Sequence, residues 1–403
     1  GLGIAAATSG NDNTSVAMSV SGGVITNTTA ASVVDSTVNQ RADANQGIAV
    51  TAYDRTRTLL GGGSFSLATG ANGNAKSAGG SLVLAVQKNS LSADWLGSTA
   101  TGFNRLDVSA NSAARVLAGA LAGAVSTGQN SNSGSGAIAL VIVDNDVRAK
   151  VDKSASRDSS LSGGEVNVNA QSVAGLSALD TLFSQAGLTA LSHTELDLDG
   201  NQTVQQIDGS IDTQDDLFAD DGSTTGNTTA KSLFSGQIAG EAVLAVAGNL
   251  AVSGKNSVGG AVSVVYTGSD YSASLANTGV DLSGDLNVNA GNNTDVLAAA
   301  IGAAGGKETA VSGSVTAVVA RGSVNANIDM TGKTLKADNL NVNAFKSGGA
   351  YSLAGNITGS SNNASIGGAI SLSDMQQSAA AKVQNGSYIL TGNAAIDAGL
   401  QSR

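Results

Sequence analysis

The sequence predicts an all-β protein built as a β-solenoid, a coil of short strands whose repeating units stack on one another. Three observations lead to this prediction. A five-residue motif recurs at nearly regular spacing, a glycine and an alanine recur thirteen residues apart, and the 403-residue chain contains no proline. A unit of a few short strands cannot bury its apolar side alone, whereas stacked units bury a continuous core. The absence of proline fits interior strands, because proline would remove a hydrogen bond from the ladder.

The first motif alternates apolar and polar residues and ends in alanine. It reads Val-Asn-Val-Asn-Ala at 166–170 and Leu-Asn-Val-Asn-Ala at 286–290 and 340–344, with three weaker copies. The final alanines are Ala52, Ala110, Ala170, Ala290, Ala344 and Ala398. Their spacings of 58, 60, 120, 54 and 54 residues indicate about seven units of 54–60 residues, with Ala230 at the middle of the double gap. Alternation of this kind is typical of a strand with one dry and one wet face. Stacked Asn and Thr side chains can then form ladders along the outside.

The second motif lies upstream of each anchor and keeps a fixed glycine-to-alanine offset. The pairs are Gly80/Ala93, Gly136/Ala149, Gly260/Ala273, Gly313/Ala326 and Gly368/Ala381, and the first unit has Met18 at the glycine position. The sequence Gly-Ala-Val-Ser-Val at 260–264 predicts another strand, again with its alternate apolar residues on a dry face.

A third segment in each unit is small and apolar on both faces, as at 116–124 and 296–304. Alanine is the best helix former, so a helix is the alternative. Frequent glycines and the repeating strand context favour a strand sandwiched between others. Polar clusters rich in Gly, Asn and Ser, such as 127–134 and 359–363, separate the segments as turns.

The unit at 171–230 departs from the pattern. Residues 191–226 contain His193, the one histidine, and a dense run of acidic residues. We therefore divide the chain into solenoid repeats over 1–190, an acidic insertion loop over 191–226 within a divergent repeat, and continued repeats over 227–403. Insertions in repeat proteins usually decorate one face, often the binding face.

Composition excludes several classes of function. The net charge of −11 argues against nucleic-acid binding, which needs a basic surface. The absence of cysteine excludes disulfides, cysteine-ligated zinc and thiol catalysis. No apolar stretch is long enough to predict a membrane span. Because the chain lacks an initiator Met and stops within the repeat at both ends, we expect a piece of a longer protein.

The Leu/Val-Asn-Val-Asn-Ala anchors, the Gly-Gly-Ala-Val-Ser-Val steps and the Gly- and Ala-rich strands resemble the repetitive passenger regions of large Gram-negative surface exoproteins. These are the filamentous-haemagglutinin and leukotoxin-like adhesins, which are exported by type V secretion. The resemblance covers almost the whole chain except 191–226. It implies a right-handed parallel β-helix, an extracellular location at the bacterial cell surface, and a role in adhesion or biofilm. It supplies no catalytic residues.

Candidate sites for chemistry are few. Asp197, Asp199 and Asn201 place oxygen ligands at alternate positions beside Gly200, a pattern that suits calcium, although the further ligands of an EF-hand are absent. The alternative is a solvated acidic loop. Asp144-Asn145-Asp146 is a similar fragment. His193 has no nucleophilic serine elbow near it.

A paired-carboxylate glycosidase would use Asp197/Asp199 or Asp220/Asp221. It would also line its cleft with aromatic residues, whereas Trp95, the one tryptophan, occupies a regular repeat position where packing is expected.

We therefore expect a structural and binding segment of a secreted or surface-anchored bacterial adhesin, not an enzyme. Its partners would be a host-cell or neighbouring-cell surface, including glycans, recognised through the exposed ladders or the 191–226 loop. No cofactor is expected other than the calcium candidate. The first alternative is a self-assembling extracellular filament subunit that stacks end to end through open strand edges. The second is a β-helix polysaccharide-degrading enzyme.

Overall fold

A computed structural model describes residues 2–9, 14–39, 47–70, 74–172, 194–195, 205–206 and 241–402 of the chain. This part of the protein is all-β and contains no helix. The strands in chain order are β1 (Leu2–Ser9), β2 (Thr14–Val34), β3 (Thr37–Asn39), β4 (Gly47–Asp54), β5 (Arg57–Thr69), β6 (Lys76–Leu96), β7 (Thr99–Ser112), β8 (Arg115–Thr127), β9 (Asn132–Asp152), β10 (Ser159–Ser172), β11 (Thr194–Glu195), β12 (Gln205–Gln206), β13 (Glu241–Ser253), β14 (Asn256–Ala276), β15 (Thr278–Leu282), β16 (Leu286–Gly306), β17 (Thr309–Asp329), β18 (Thr334–Ala337), β19 (Leu340–Gly348), β20 (Ala350–Ser360), β21 (Ala364–Gln384), β22 (Ser387–Leu390) and β23 (Ala394–Ser402).

The strands form three main stacks in which successive turns of the chain, here called rungs, pair in parallel. The long stack consists of six 21-residue strands, β2, β6, β9, β14, β17 and β21. The small-residue stack consists of β1, β5, β8, β13, the second half of β16 and β20. The anchor stack consists of β4, the later parts of β7 and β10, the first half of β16, β19 and β23. This arrangement is consistent with the predicted parallel β-solenoid.

The register confirms that both sequence motifs mark equivalent positions of the rungs. The six anchor alanines stack in one column, from Ala52 to Ala398. The glycine column begins at Met18 and continues through Gly80 to Gly368, and the alanine thirteen residues later forms a column of its own. Because thirteen is odd and side chains alternate along a strand, these two columns lie on opposite faces of the long stack.

All three stacks continue directly across the double gap in the sequence. Gly136 of β9 pairs with Gly260 of β14, and Ala170 of β10 pairs with Ala290 of β16. The described residues therefore contain six rungs. The unit centred on Ala230 and most of the 191–226 insertion lie outside the described residues. Within that insertion, β11 and β12 pair with each other antiparallel.

Two apolar cores of different character fill the rungs. The wide core lies between the second half of the long strands and the anchor stack, and it contains Leu, Val and aromatic side chains. Trp95 is fully buried in this core, and its Nε1 donates a hydrogen bond to the Ser98 carbonyl at 3.0 Å. The expected packing role of Trp95 is confirmed.

The narrow core lies between the first half of the long strands and the small-residue stack, and it is built mostly from Ala and Val. Here the two sheets come so close that hydroxyls reach the facing backbone. Ser263 Oγ donates to the Ala245 carbonyl at 2.8 Å, and a Cβ added at Gly79 would lie 2.3 Å from the Gly123 carbonyl oxygen.

This close approach turns the larger apolar side chains outward, which corrects two expectations. In Gly-Ala-Val-Ser-Val at 260–264, the fully buried residues are Ala261 and Ser263, while Val262 and Val264 point outward and are half-buried. The small apolar segments are strands, so the helix alternative is wrong, but they are not sandwiched. Leu121 on β8 is 61% exposed and Ile301 on β16 is 49% exposed. Ala and Val fill most of the space between the sheets, so most of the Leu and Ile side chains in this half of the rung lie on the outside.

A layer of buried polar side chains separates the two cores, with Glu241 at its centre. Glu241 is fully buried at the start of β13. Its Oε1 accepts hydrogen bonds from Ser112 Oγ at 2.7 Å, from Asn145 Nδ2 at 3.0 Å and from the Tyr271 hydroxyl, and its Oε2 accepts one from Thr294 Oγ1 at 2.9 Å. Four donors from four strands thus satisfy one carboxylate, which keeps the buried charge tolerable.

Lys346 supplies the opposite charge in the same layer. It is 1% exposed, and its Nζ donates to the Ser269 carbonyl at 3.4 Å. Burial lowers the pKa of Lys346 to about 8, against the opposing influence of the Glu241 and Asp270 carboxylates. The interior therefore joins its two apolar cores through a hydrogen-bonded polar junction.

Gly79 and Gly80 test the spacing of the narrow core because they point to opposite faces of β6. Gly79→Ala would place its methyl group against the Gly123 backbone, so we expect it to destabilise the fold by about 1–3 kcal/mol. Gly80→Ala points outward, where the nearest atom is Met18 Cγ at 3.7 Å, and should change stability by less than about 1 kcal/mol. Urea unfolding followed by circular dichroism measures both. Equal effects of the two substitutions would contradict the close sheet approach.

Candidate functional site: the outer faces of the stacked strands

The outer face of the anchor stack carries two ladders of asparagine side chains, as the sequence predicts. In the first ladder, Asn341 Nδ2 donates to Asn287 Oδ1 and Asn287 Nδ2 donates to Asn167 Oδ1, both at 2.8 Å. In the second, Asn343 donates to Asn289 and Asn289 donates to Asn169, both at 2.9 Å. Every amide donates towards the N-terminal rung, so each ladder has a direction.

The first ladder ends on an ion pair between the buried Asp107 and the half-buried Arg105. Asn167 Nδ2 donates to Asp107 Oδ1 at 3.0 Å, and Arg105 Nε contacts both oxygens of the same carboxylate at 2.9 Å. Asp107 is 3% exposed, and this burial raises its pKa to about 6 despite the opposing effect of Arg105. The ladder amides are buried in β10 but half-buried in β16 and β19, so the accessible part of the ladders lies on the later rungs.

A second outer surface, the apolar face, covers the first half of the long stack. It consists of five columns of outward-pointing residues, one column for each alternate position of the strand. The columns run from Val16 to Ile366, from Met18 to Gly368, from Val20 to Ile370, from Gly22 to Leu372 and from Val24 to Asp374.

The apolar face is exposed and has a polar boundary. Met18 is 71% exposed in the first rung and Ile370 is 55% exposed in the last, and Asp374 is the single charged residue among the five columns. Beyond the fifth column the same sheet becomes polar, with Lys88, Asp144 and Arg321 in the next outward column. A contiguous exposed apolar patch with a polar rim is typical of an interaction site.

The predicted calcium ligands Asp197, Asp199 and Asn201 lie outside the described residues, as does His193. The related fragment Asp144-Asn145-Asp146 does not form a cation site, because its side chains alternate between the two faces of β9. Asn145 points inward and donates to Glu241, while Asp146 points outward and forms an ion pair with Arg148.

Within the part of the chain that the structure describes, no three acidic or histidine side chains cluster closely enough to hold a metal ion.

Sequence reasoning missed three features of this site. Asp107 stands at the first Asn position of a weak anchor, Leu-Asp-Val-Ser-Ala, and that substitution was the available signal for the charged end of the ladder. Glu241 and Lys346 each occur in one rung, so no repetition marks them. The apolar face was hidden by the assumption that the larger residue of an alternating pair points inward.

Asn287→Ala tests the contribution of the ladder to stability. The substitution removes hydrogen bonds to Asn167, Glu165 and Asn341. We expect the free energy of unfolding to fall by about 1–3 kcal/mol, since each net hydrogen bond contributes about 1 kcal/mol. Urea unfolding measures the loss, with Asn363→Ala in the exposed turn before β21 as the matched control. A loss no larger than that of the control would show that the ladder is not stabilising.

Asp107→Asn tests the cost of the buried charge. The Asp107 carboxyl has a pKa near 3.8 when unperturbed and about 6 in the folded protein. Between about pH 4 and pH 6 Asp107 therefore holds, in the folded state, a proton that it has released in the unfolded state. Its contribution to the free energy of unfolding therefore falls as pH rises from about 4 to 6, by up to about 3 kcal/mol. We expect the variant to be more stable than the natural chain at pH 7.5 and to lose that advantage at pH 4. A stability difference that does not change between these pH values would contradict the assignment.

Comparison with known proteins adds no relative: no protein-family model, curated protein or solved structure matches the chain. The described residues also contain no helix that is long and apolar enough to cross a membrane.

Proposed function

We propose that the chain is a structural and binding segment of a secreted or surface-anchored bacterial adhesin, and that it acts outside the cell by attachment rather than catalysis. The observation that carries this proposal is the unbroken register of all three stacks, which repeats each outward position once per rung. A surface of this kind presents many copies of one contact to a repetitive partner, and weak contacts then combine into avidity.

The dimensions of a rung support a role in presenting broad, flat surfaces. A 21-residue strand is about 70 Å long, while each rung adds about 4.8 Å along the stack. Six rungs therefore rise only about 29 Å but display wide faces on each side. We infer a right-handed coil, because connections between parallel strands of one sheet are right-handed in nearly all proteins.

The ladder face fits a polar partner such as a cell-surface glycan. An asparagine amide has two N–H donors and an oxygen that accepts two hydrogen bonds, and the ladder uses one of each. Half-buried ladder amides such as Asn289 and Asn343 therefore keep hydrogen-bonding capacity that points away from the stack. The most elaborate cluster of titratable groups among the described residues, Glu241 with Tyr271 and Lys346, is fully buried, which favours a structural role over catalysis.

An adhesion assay tests the proposed function. Fluorescent microspheres coated with the purified chain are washed over epithelial-cell and bacterial monolayers, with albumin-coated microspheres as the baseline. We expect retention well above the baseline. The variant Asn289→Ser/Asn343→Ser should lower retention at least about fivefold, because many weak contacts are lost together.

The matched control changes the same residue type away from the ladders. Asn362→Ser/Asn363→Ser alters the turn before β21 and should retain full adhesion. Retention at the albumin level on every surface would contradict the adhesin proposal. Equal loss in both variants would contradict the ladder as the contact. The calcium prediction is tested by repeating the assay with EDTA and with the variant Asp197→Asn/Asp199→Asn. If calcium binds at these residues, chelation and substitution should change the retention of the microspheres to the same extent.

A further inference from the structure

The apolar face has the size and boundary of a protein interface. Outward residues on a strand are about 6.7 Å apart and strands are about 4.8 Å apart, so five columns over six rungs cover about 960 Å². A stable protein–protein interface buries about 800 Å² on each partner. The face also has the composition of an interface, with aliphatic residues in the middle and polar residues at the edges.

Its second and fourth columns are complementary in size within every rung. The pairs are Met18 and Gly22, Gly80 and Leu84, Gly136 and Leu140, Gly260 and Val264, Gly313 and Ala317, and Gly368 and Leu372. One member of each pair is glycine, and the first rung reverses the order found in the other five. The two positions lie about 13 Å apart on one strand, so this complementarity does not arise from contact within the chain.

The glycine column leaves an open furrow on the face. A Cβ added at Gly260, Gly313 or Gly368 would have no atom within 4 Å. None of the column's glycines has a positive φ, and the long strands pair without a bulge there, so the backbone itself does not require glycine.

We propose that two copies of this chain pack face to face through their apolar faces, around a two-fold axis that follows the third column from Val20 to Ile370. Rotation about this axis places the second column of one copy over the fourth column of the other. Leu84 then lies over Gly80 of the second copy, and Met18 lies over Gly22. The larger residue of each pair in one copy then inserts into the furrow left by the glycine of the other copy. The contact is the same in both directions, as a closed two-fold interface requires.

The size complementarity selects a second copy over other occupants. A lipid surface or an unrelated apolar partner would gain nothing from the reversed order in the first rung. A copy of the same sheet gains from it, because the reversal keeps a larger side chain opposite a glycine in every rung, a Met, Leu or Val in five of them and Ala317 in the fifth rung. This lateral pairing is independent of the adhesive function proposed above and of stacking through the ends of the solenoid.

Sedimentation equilibrium of the full chain tests the proposal. We expect a mass twice the 39.2 kDa of one chain to appear at micromolar concentration. Gly260→Leu fills the furrow where the structure has open space, and should raise the dissociation constant at least about tenfold. Gly260→Leu/Val264→Gly recreates the order of the first rung in the fourth, and should bring the constant back to within about threefold of the natural chain.

These variants separate the proposal from non-specific association. If the exposed apolar surface only drove non-specific association, the extra leucine of Gly260→Leu would strengthen association, and adding Val264→Gly to that variant would weaken it again. Either result overturns the proposal, as does a chain that remains monomeric or a double variant that fails to recover. Circular dichroism and urea unfolding confirm that each variant keeps its fold.

Cross-linking of single-cysteine variants locates the axis. Because the chain contains no cysteine of its own, the introduced thiol is the one site of reaction. Facing sheets lie about 10 Å apart, a distance that a short bismaleimide spans. Val262→Cys lies on the proposed axis and should cross-link to its counterpart. Ser274→Cys, on the same side of β14 but in its polar half, should not. Equal cross-linking at both positions would contradict the proposed interface.

Discussion

The close approach of the two sheets in the narrow core determines where most of the larger side chains in that half of the rung lie. The gap between β6 and β8 leaves no room for a Cβ at Gly79, and serine hydroxyls bridge it to the facing backbone. Most leucine and isoleucine side chains in this half of the rung therefore point outward, while Ala and Val fill the space between the sheets. In the other half the sheets are further apart, the large side chains point inward, and the outer face of the long strands is polar. Along one long strand, the large apolar side chains therefore point outward in the first half and inward in the second half.

The polar layer between the cores is where this reversal takes place. Glu241 draws hydrogen bonds from four strands, and Lys346 contributes a buried positive charge nearby. A buried carboxylate with one missing donor would be costly, so the layer holds neighbouring rungs in one register. The asparagine ladders serve the same end on the outer face, since a slip of one residue would turn every amide to the opposite side of the strand.

Sequence reasoning could predict the strands, their register and the small-residue interior, because each of these repeats. It located all six anchor alanines and the glycine and alanine columns, which the structure stacks as expected. Sequence reasoning failed where it assumed that a doubled spacing between motifs means two stacked units. The 120-residue gap suggested two units, yet Ala170 pairs directly with Ala290. It also assigned Val262 to the dry face, because alternation shows that two faces differ but not which one faces inward. The odd offset between Gly260 and Ala273 did show that the two segments could not both face inward, since one of the two residues must point outward.

The orientation of the long strands has a mechanical consequence. They run across the stacking direction, so tension between the two ends of the chain pulls the rungs apart rather than sliding them past one another. The load then falls on one rung boundary at a time. In the later part of the chain, where Ala290 pairs with Ala344, each rung that detaches frees 54 residues, or about 180 Å of extended chain. A protein built in this way would lengthen stepwise under tension and dissipate the force at one rung boundary after another.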